Sequence, residues 1–414
     1  MGMKGREEMK TIRFAVCGAG CRGTGLTLDI LCNLADVEVC GVFDPYTDKA
    51  EHLAAKVAEK RGVAPKVYAS AEALFDAEKP DAALVSTSWE AHIPVTLLAL
   101  EKGIAVAMEV GSVYDEGECR ALIETWERTR TPFMLMENCC FGKDELFATA
   151  LYRAGVLGEA VYCHGAYMHD LREEVSYGGK NRHYRLGEYS TRNRDNYPTH
   201  DLGPIAKLLG INRGNRMVSL VSRSSAAKGL SAYLETRDDL PELQGRVFRQ
   251  GDIVETLITC ENGELISLRL DTTLPTYYSR EFTVRGTKGL YEQTTNLVMT
   301  DEDLEHDFEP LVTMRARLGN AEQYYDKYLP KVWKDITPEE IEAGHGGMDT
   351  IEFRVFCDCL KEGREMPIDV YDAAAWMCIA YLSEESIRTG KEVPIPDFTN
   401  GAYKTRPIQD VIEL

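Results

Sequence analysis

The chain has 414 residues, 44% hydrophobic and 28% charged, a globular balance that excludes large-scale disorder and a length that predicts two domains. Its 47 lysines and arginines against 67 aspartates and glutamates give a formal charge of −20, which argues against nucleic acid, whose phosphates need a basic face. The opening "MGMKGREEMK" lacks the apolar core of a signal peptide, and no run of about 18 apolar residues follows, so a cytoplasmic chain with no membrane partner is expected. The twelve cysteines are scattered without a CxxC pair or zinc-like spacing, so reduced, structural thiols and no metal are expected.

An apolar run from Ile12 to Cys17 reads as a buried parallel strand. Gly18, Gly20 and Gly23 then give G-x-G-x-x-G, with Cys21 and Arg22 inside the turn and a helical pattern through Leu26, Ile30 and Leu31. Glycines there let the turn close and the backbone approach a pyrophosphate at a helix N-terminus. The strand before and the helix after give the motif its weight. The next strand, "VEVCGVF", ends at Asp44, 21 residues past Gly23. A carboxylate there takes a ribose 2′-hydroxyl and repels a 2′-phosphate, which favours NAD over NADP; the plainer alternative is an Asp-Pro turn.

Strand "DAALVST", helix "AHIPVTLLALEKG", strand "IAVAMEV", helix "GECRALIETWERTR" and strand "PFMLMEN" continue the alternation. That pattern predicts a doubly wound parallel sheet of the Rossmann type over residues 1–138. Ligands bind at the carboxyl ends of such strands. Those ends carry Asp44, "STSWEAH" with Trp89 and His92, Glu109 and Val110, and Glu137 and Asn138.

Residues 139–414 change texture. A loop-rich, Arg- and Tyr-heavy stretch over 163–200 precedes "ISLRLDTTL" and "REFTVRGTKGLYEQ", which predict hairpins of an open, largely antiparallel sheet. Residues 301–345 are charged and suggest no definite element; the glutamates and lysines of 322–343 read as a solvated face. "DTIEFRVFCDCLKEG" and "VYDAAAWMCIAYLSEESIRTG" return to helix, each ended by glycine. The second domain is thus α+β, serves substrate binding and oligomerisation, and leaves its last helices room to pack back on the first. Near its start "YPTH" (Tyr197, Pro198, Thr199, His200) collects proton-active side chains, although alone it reads as a turn before a helix.

The G-x-G-x-x-G domain, the "ST…H" and Glu109 strand ends, the mid-chain histidine before an open sheet, and "SEESIRTGKEVPIP" resemble the Gfo/Idh/MocA family over nearly the whole chain. Typical members are sugar or polyol dehydrogenases, with Glu-Lys-Pro at the strand end and aspartate four residues before the histidine. Here Val110 replaces the lysine and Asn196 the aspartate. Valine cannot manage a hydroxyl proton. The departures match one branch. "WEAH" (89–92), "MEV" (108–110), "MENCC" (136–140), "YMHDLRE" (167–173), "YPTH" (197–200) and "HGGMD" (345–349) are similar to glycoside hydrolase family 109, and Arg185 and Tyr278 fit its pattern, with Tyr277 the alternative to Tyr278.

The resemblance implies an α-N-acetylgalactosaminidase-like hydrolysis that uses tightly bound, recycled NAD without net redox change. In that scheme a sugar C3 hydroxyl is oxidised, C2 loses its acidified proton, the C1 substituent leaves, water adds, and the ketone is reduced again. His200 is then the base at C3 and Tyr167 the base at C2, provided nearby cations lower its pKa from about 10. Glu137 orients His200 or binds a hydroxyl, and Arg185 supplies charge or binds a substrate oxygen. Tyr197, Pro198, Thr199 and Tyr278 complete the sugar site. Gly18, Gly20, Cys21, Arg22, Gly23, Asp44, Trp89, His92, Glu109, Val110 and Asn138 hold the cofactor. His169 reads as a hydrogen-bonding histidine rather than a metal ligand, and "HGGMD" as a loop feeding a helix, where Asp349 either caps it or meets ligand. The alternatives are a sugar oxidoreductase whose base has moved to His200 or Tyr167, and a silent NAD- or sugar-binding protein. The expected partners are a small glycoside and further copies of the chain, joined through the open sheet face.

Overall fold

The computed structural model describes residues 11–303 and 315–414. The first ten residues, read as lacking a signal peptide, and 304–314, part of the stretch without definite elements, lie outside the described residues. Contacts divide the chain into two units, residues 1–110, 121–136 and 336–370 against 111–120, 137–335 and 371–414. The first is therefore not the single segment 1–138.

The first unit is built on a six-stranded sheet of β1 (Ile12–Cys17), β2 (Val37–Phe43), β3 (Lys66–Tyr68), β4 (Ala82–Val85), β5 (Ala105–Glu109) and β6 (Phe133–Met136). Their order is β3-β2-β1-β4-β5-β6, and every pairing is parallel. β4, β5 and β6 are buried throughout, which is why they read as continuous apolar runs. Cys17 stands level with both Phe43 and Val85, so the carboxyl ends of β1, β2 and β4 align where the strand order reverses. Such a switch point is where these sheets take ligands. The helix Met348–Glu362 belongs to this unit: its Phe356 packs on Phe14 of β1, ring centroids 5.8 Å apart.

The second unit carries an eight-stranded sheet: β7 (Ala160–Met168), β8 (Met217–Ser224), β9 (Ile253–Cys260), β10 (Leu265–Asp271), β11 (Thr283–Gly286), β12 (Gly289–Glu292), β13 (Leu297–Thr300) and β14 (Val393–Pro394). The order is β13-β12-β11-β7-β10-β9-β8-β14. Only β10 with β7 is parallel; the other pairings are antiparallel. Gly286 and Gly289 bracket the predicted Thr-Lys turn between β11 and β12. One face buries Cys163, Val254, Ile258, Ile266 and Leu268, while the other leaves Leu257 38% exposed.

The helix Thr199–Leu209 is buried along its whole length. Two glycines allow that. A Cβ on Gly165 of β7 would stand 2.8 Å from the Asp201 carbonyl, and one on Gly203 would stand 2.9 Å from Glu137 Cγ. The stretch 163–200, expected to be loop-rich, winds into short helices at Arg172–Ser176, Gly178–Asn181 and Arg185–Thr191. Within the charged stretch, Pro338–Glu342 is set off by a capping box of Thr337 and Glu340.

Candidate active site

In the first unit, the glycine-rich turn leaves β1 at the switch point. Gly18 has φ +104°, and a Cβ there would lie 2.3 Å from the Ser86 carbonyl oxygen; one on Gly23 would lie 2.1 Å from that of Gly18. A Cβ on Gly20 would meet nothing within 4 Å. The turn is thus tight behind and open in front, a cradle into which a pyrophosphate fits. Asp44 is buried; its Oδ2 accepts from Ala19 N at 2.7 Å and its Oδ1 from Tyr46 N at 2.8 Å. Each oxygen keeps a second lone pair for a ribose hydroxyl. These residues fit NAD. Cys21 is exposed within the turn.

Trp89 and His92 sit buried in the first turn of the helix Trp89–Glu101. Burial pushes the His92 imidazole down to about 4, so it is neutral, and its Nε2 donates to the Thr87 carbonyl at 3.0 Å. His92 thereby braces the segment that follows β4. Arg22 departs from its expected role. Its guanidinium binds Glu109 at 2.8–2.9 Å and both oxygens of Asp349, at 2.6 and 2.9 Å, so two carboxylates take it rather than a phosphate. Burial opposes the Asp349 charge, but Arg22 and His345 hold its carboxyl well below the ordinary carboxylate range. Val110 is buried beside Glu109.

In the second unit, Glu137 caps the short helix Asn138–Phe141, accepting from Cys139 N at 3.1 Å. His200 Nδ1 lies 2.7 Å from Glu137 Oε1, and Glu137 has no exposed surface. Burial alone raises a carboxyl, yet His200 outweighs it and holds Glu137 below the ordinary value. The ionised carboxylate can only accept, so Nδ1 carries the hydrogen and Nε2 is left as the base. Asn138, expected to hold cofactor, is buried and falls in this unit, where the Cys139 thiol donates to its Oδ1 at 3.4 Å.

Tyr167 near the end of β7 completes an aromatic cluster. Its ring centroid is 4.7 Å from that of Tyr197, 5.4 Å from His200 and 6.4 Å from Tyr278. The Tyr197 ring centroid lies 4.7 Å from that of His200, and the Arg185 guanidinium stands over the Tyr197 ring, 5.1 Å from its centroid. Arg185 Nε also lies 2.8 Å from Glu174. Tyr278 joins the cluster through His169, at 5.4 Å, whereas Tyr277 makes no ring contact there, so Tyr278 is the better candidate. Pro198 stands at the N-cap of the helix Thr199–Leu209, and Thr199 has no exposed surface.

The Tyr167 hydroxyl does not show the expected lowering. Burial pushes its pKa up, and Arg185 only partly offsets this. It lies 3.0 Å from His169 Nδ1, a partner missing from the expected site. "YMHD" carries the signal, since residues two apart at a strand end point to one side. Arg280 was also missed; it donates to Glu145 at 2.6 Å and to the Tyr278 hydroxyl at 3.3 Å. Among the described residues, Glu137, Cys139 and His200 bring potential metal-binding atoms within 4.8 Å of one another, a grouping that spacing did not foretell. Burial holds the Cys139 thiol well up and therefore protonated, and the His200–Glu137 hydrogen bond accounts for the other two.

Residues 12–136 match the NAD-binding Rossmann fold of an oxidoreductase family (Gfo/Idh/MocA), and 141–405 match the C-terminal domain of glycosyl hydrolase 109. A glycosyl hydrolase family 109 protein of Stenotrophomonas maltophilia (strain K279a) is 34% identical, over 96% of this chain and 91% of its own length. An α-N-acetylgalactosaminidase of Tannerella forsythia is 32% identical, over 95% and 87%. In fold the chain is similar to myo-inositol dehydrogenase from Lactobacillus casei in complex with NAD(H) and myo-inositol, with TM-score 0.65, 13% identity and coverage of 95% of this chain and 100% of that one.

Proposed function

Since the chain belongs to glycosyl hydrolase family 109, we propose that it is an NAD-dependent glycosidase that cleaves small glycosides by transient oxidation at C3, with no net redox change. The observation that carries this reading is the His200–Glu137 pair beside the Tyr167–His169 pair, two proton-handling couples in one tyrosine-lined cluster. With Val110 in place of a lysine, proton transfer falls to those couples. NAD, held by the glycine turn and Asp44, supplies a hydride acceptor that returns what it takes, and we propose that it stays bound through the cycle.

His200 Nε2 takes the proton of the C3 hydroxyl, and Glu137 stabilises the imidazolium that forms. The resulting sugar ketone acidifies the proton on C2. In the resting site Tyr167 is neutral, and in the His169 tautomer with a bare Nδ1 its hydroxyl donates to that nitrogen across 3.0 Å. Passing that proton to His169 makes Tyr167 a base for C2, with Arg185 favouring the phenolate. The electron pair from C2–H forms the C1–C2 double bond as the C1–O bond breaks and the aglycone leaves. Water then adds across the C1–C2 double bond, its oxygen at C1 and a proton at C2, and the ketone is reduced again at C3 while the His200 imidazolium gives its proton back to that oxygen. Because elimination needs only an acidic C2 proton, either anomer fits.

The name of the T. forsythia relative supports N-acetylgalactosaminides as the first substrates to try. The test is aglycone release from α- and β-linked aryl N-acetylgalactosaminides, galactosides and glucosides in D2O, without added cofactor. Release with deuterium at C2 is expected. No release, with NADH accumulating from free sugars and added NAD+, would replace the glycosidase by a dehydrogenase.

A further inference from the structure

We propose that Arg22, Asp349 and His345 form a clasp that retains the dinucleotide, a positioning role resting on the NAD reading above. Arg22 is the fifth residue of the glycine-rich turn, yet its charge is not available to a phosphate. Glu109 and Asp349 surround it with two carboxylates against one guanidinium, so the cluster adds no net attraction for an anionic cofactor. Asp349 has no exposed surface and meets the guanidinium through both oxygens. Burying a carboxylate is costly unless it is bonded in this way. The pair therefore holds pieces together rather than recruiting a ligand.

The piece it holds is the "HGGMD" loop. Gly344, His345, Gly346 and Gly347 all have positive φ, +35°, +45°, +66° and +96°, and at His345 a side chain must bear that conformation. A Cβ on Gly344 would lie 2.5 Å from Asp349 Oδ2, and one on Gly347 2.6 Å from Ile336 Cδ1, so the loop is pressed close on both sides. His345 Nδ1 lies 2.9 Å from Asp349 Oδ2 and 2.8 Å from the Arg22 guanidinium, with its side chain 45% exposed. The helix that follows is tied to β1 through Phe356 and Phe14. The loop is thereby anchored to the sheet at one end and fastened to the phosphate-binding turn at the other. Loosening the turn requires breaking a buried bidentate ion pair, which salt screens poorly. Cofactor release then waits on that opening, as a recycled cofactor requires.

The test measures exchange of bound NAD for isotopically labelled NAD+, by mass spectrometry after rapid gel filtration, in the full chain. Asp349→Asn and Arg22→Met are each expected to speed exchange about tenfold or more, and the double variant no further, because both remove the same contact. His345→Ala alters only the exposed arm and is expected to speed exchange by a smaller factor with circular dichroism unchanged; it decides the matter alone if the other two fail to fold. Exchange at or below the wild-type rate in every folded variant overturns the clasp. A wild-type chain that carries no NAD and takes none up overturns the NAD reading itself, and the clasp with it.

Discussion

Glu137 and His200 stand 63 residues apart in the chain and 2.7 Å apart in space, and that bond decides which ring nitrogen can accept a proton. Glu137→Gln keeps the shape and removes the charge that stabilises the imidazolium. In steady-state kinetics kcat is expected to fall by about 10²-fold or more, with KM little changed; unchanged kcat would remove Glu137 from the proposal. Tyr167→Phe is expected to abolish deuterium incorporation at C2 and to slow aglycone release by about 10²-fold. These residues were legible because they recur in short motifs. Tyr167's raised pKa was not, since it comes from burial, which the motif does not encode. Asp195, buried four residues before the helix Thr199–Leu209, gives a pH prediction. Burial pushes its carboxyl up from 3.8 to about 7, so between those values the folded chain holds a proton that the unfolded chain has lost. Stability should therefore fall as pH rises through that window, and urea midpoints for Asp195→Asn should fall less than those of the wild type.

The helix Thr199–Leu209 reaches its place only because Gly165 and Gly203 present no side chain. Gly203→Ala would push a methyl to 2.9 Å from Glu137 Cγ and 3.1 Å from Cys140 Sγ. It is expected to cost about 1–3 kcal/mol in urea unfolding and to lower kcat by displacing Glu137; a fully stable, fully active variant would show that the helix has slack. The parallel strands, the hairpins and the two long C-terminal helices, Met348–Glu362 and Val370–Thr389, were readable, because apolar periodicity is strong over long segments. The short helices between 172 and 191 were not, because segments of four to seven residues carry too little periodicity and are held by tertiary contacts such as Arg185 with Glu174. The capping box at Thr337 and Glu340 was legible in principle, since "TPEE" has the required spacing.

The outer face of the eight-stranded sheet presents Leu257 at the middle of β9, with Val221 of β8 and Ser267 of β10 beside it in register. We propose that copies of the chain associate there. Sedimentation is expected to show a dimer or larger assembly, and Leu257→Asp to shift it toward monomer; a wild-type monomer at all concentrations would exclude it. The alternation of strands and helices located the switch point, and the last helices were expected to have room to pack back on the first domain. It did not reveal that 336–370 returns while 371–414 does not, because a helix's apolar stripe does not name the sheet it covers. That return has a consequence for biosynthesis. Asp349 follows its partner Arg22 by 327 residues, so the ribosome delivers the nucleotide-binding turn long before the residue that fastens it. The nascent first unit waits through most of translation with the covering helix missing from β1, and a product cut short after residue 138 would expose Phe14 where Phe356 belongs. Quality control by chaperones and proteases would meet that bare patch first.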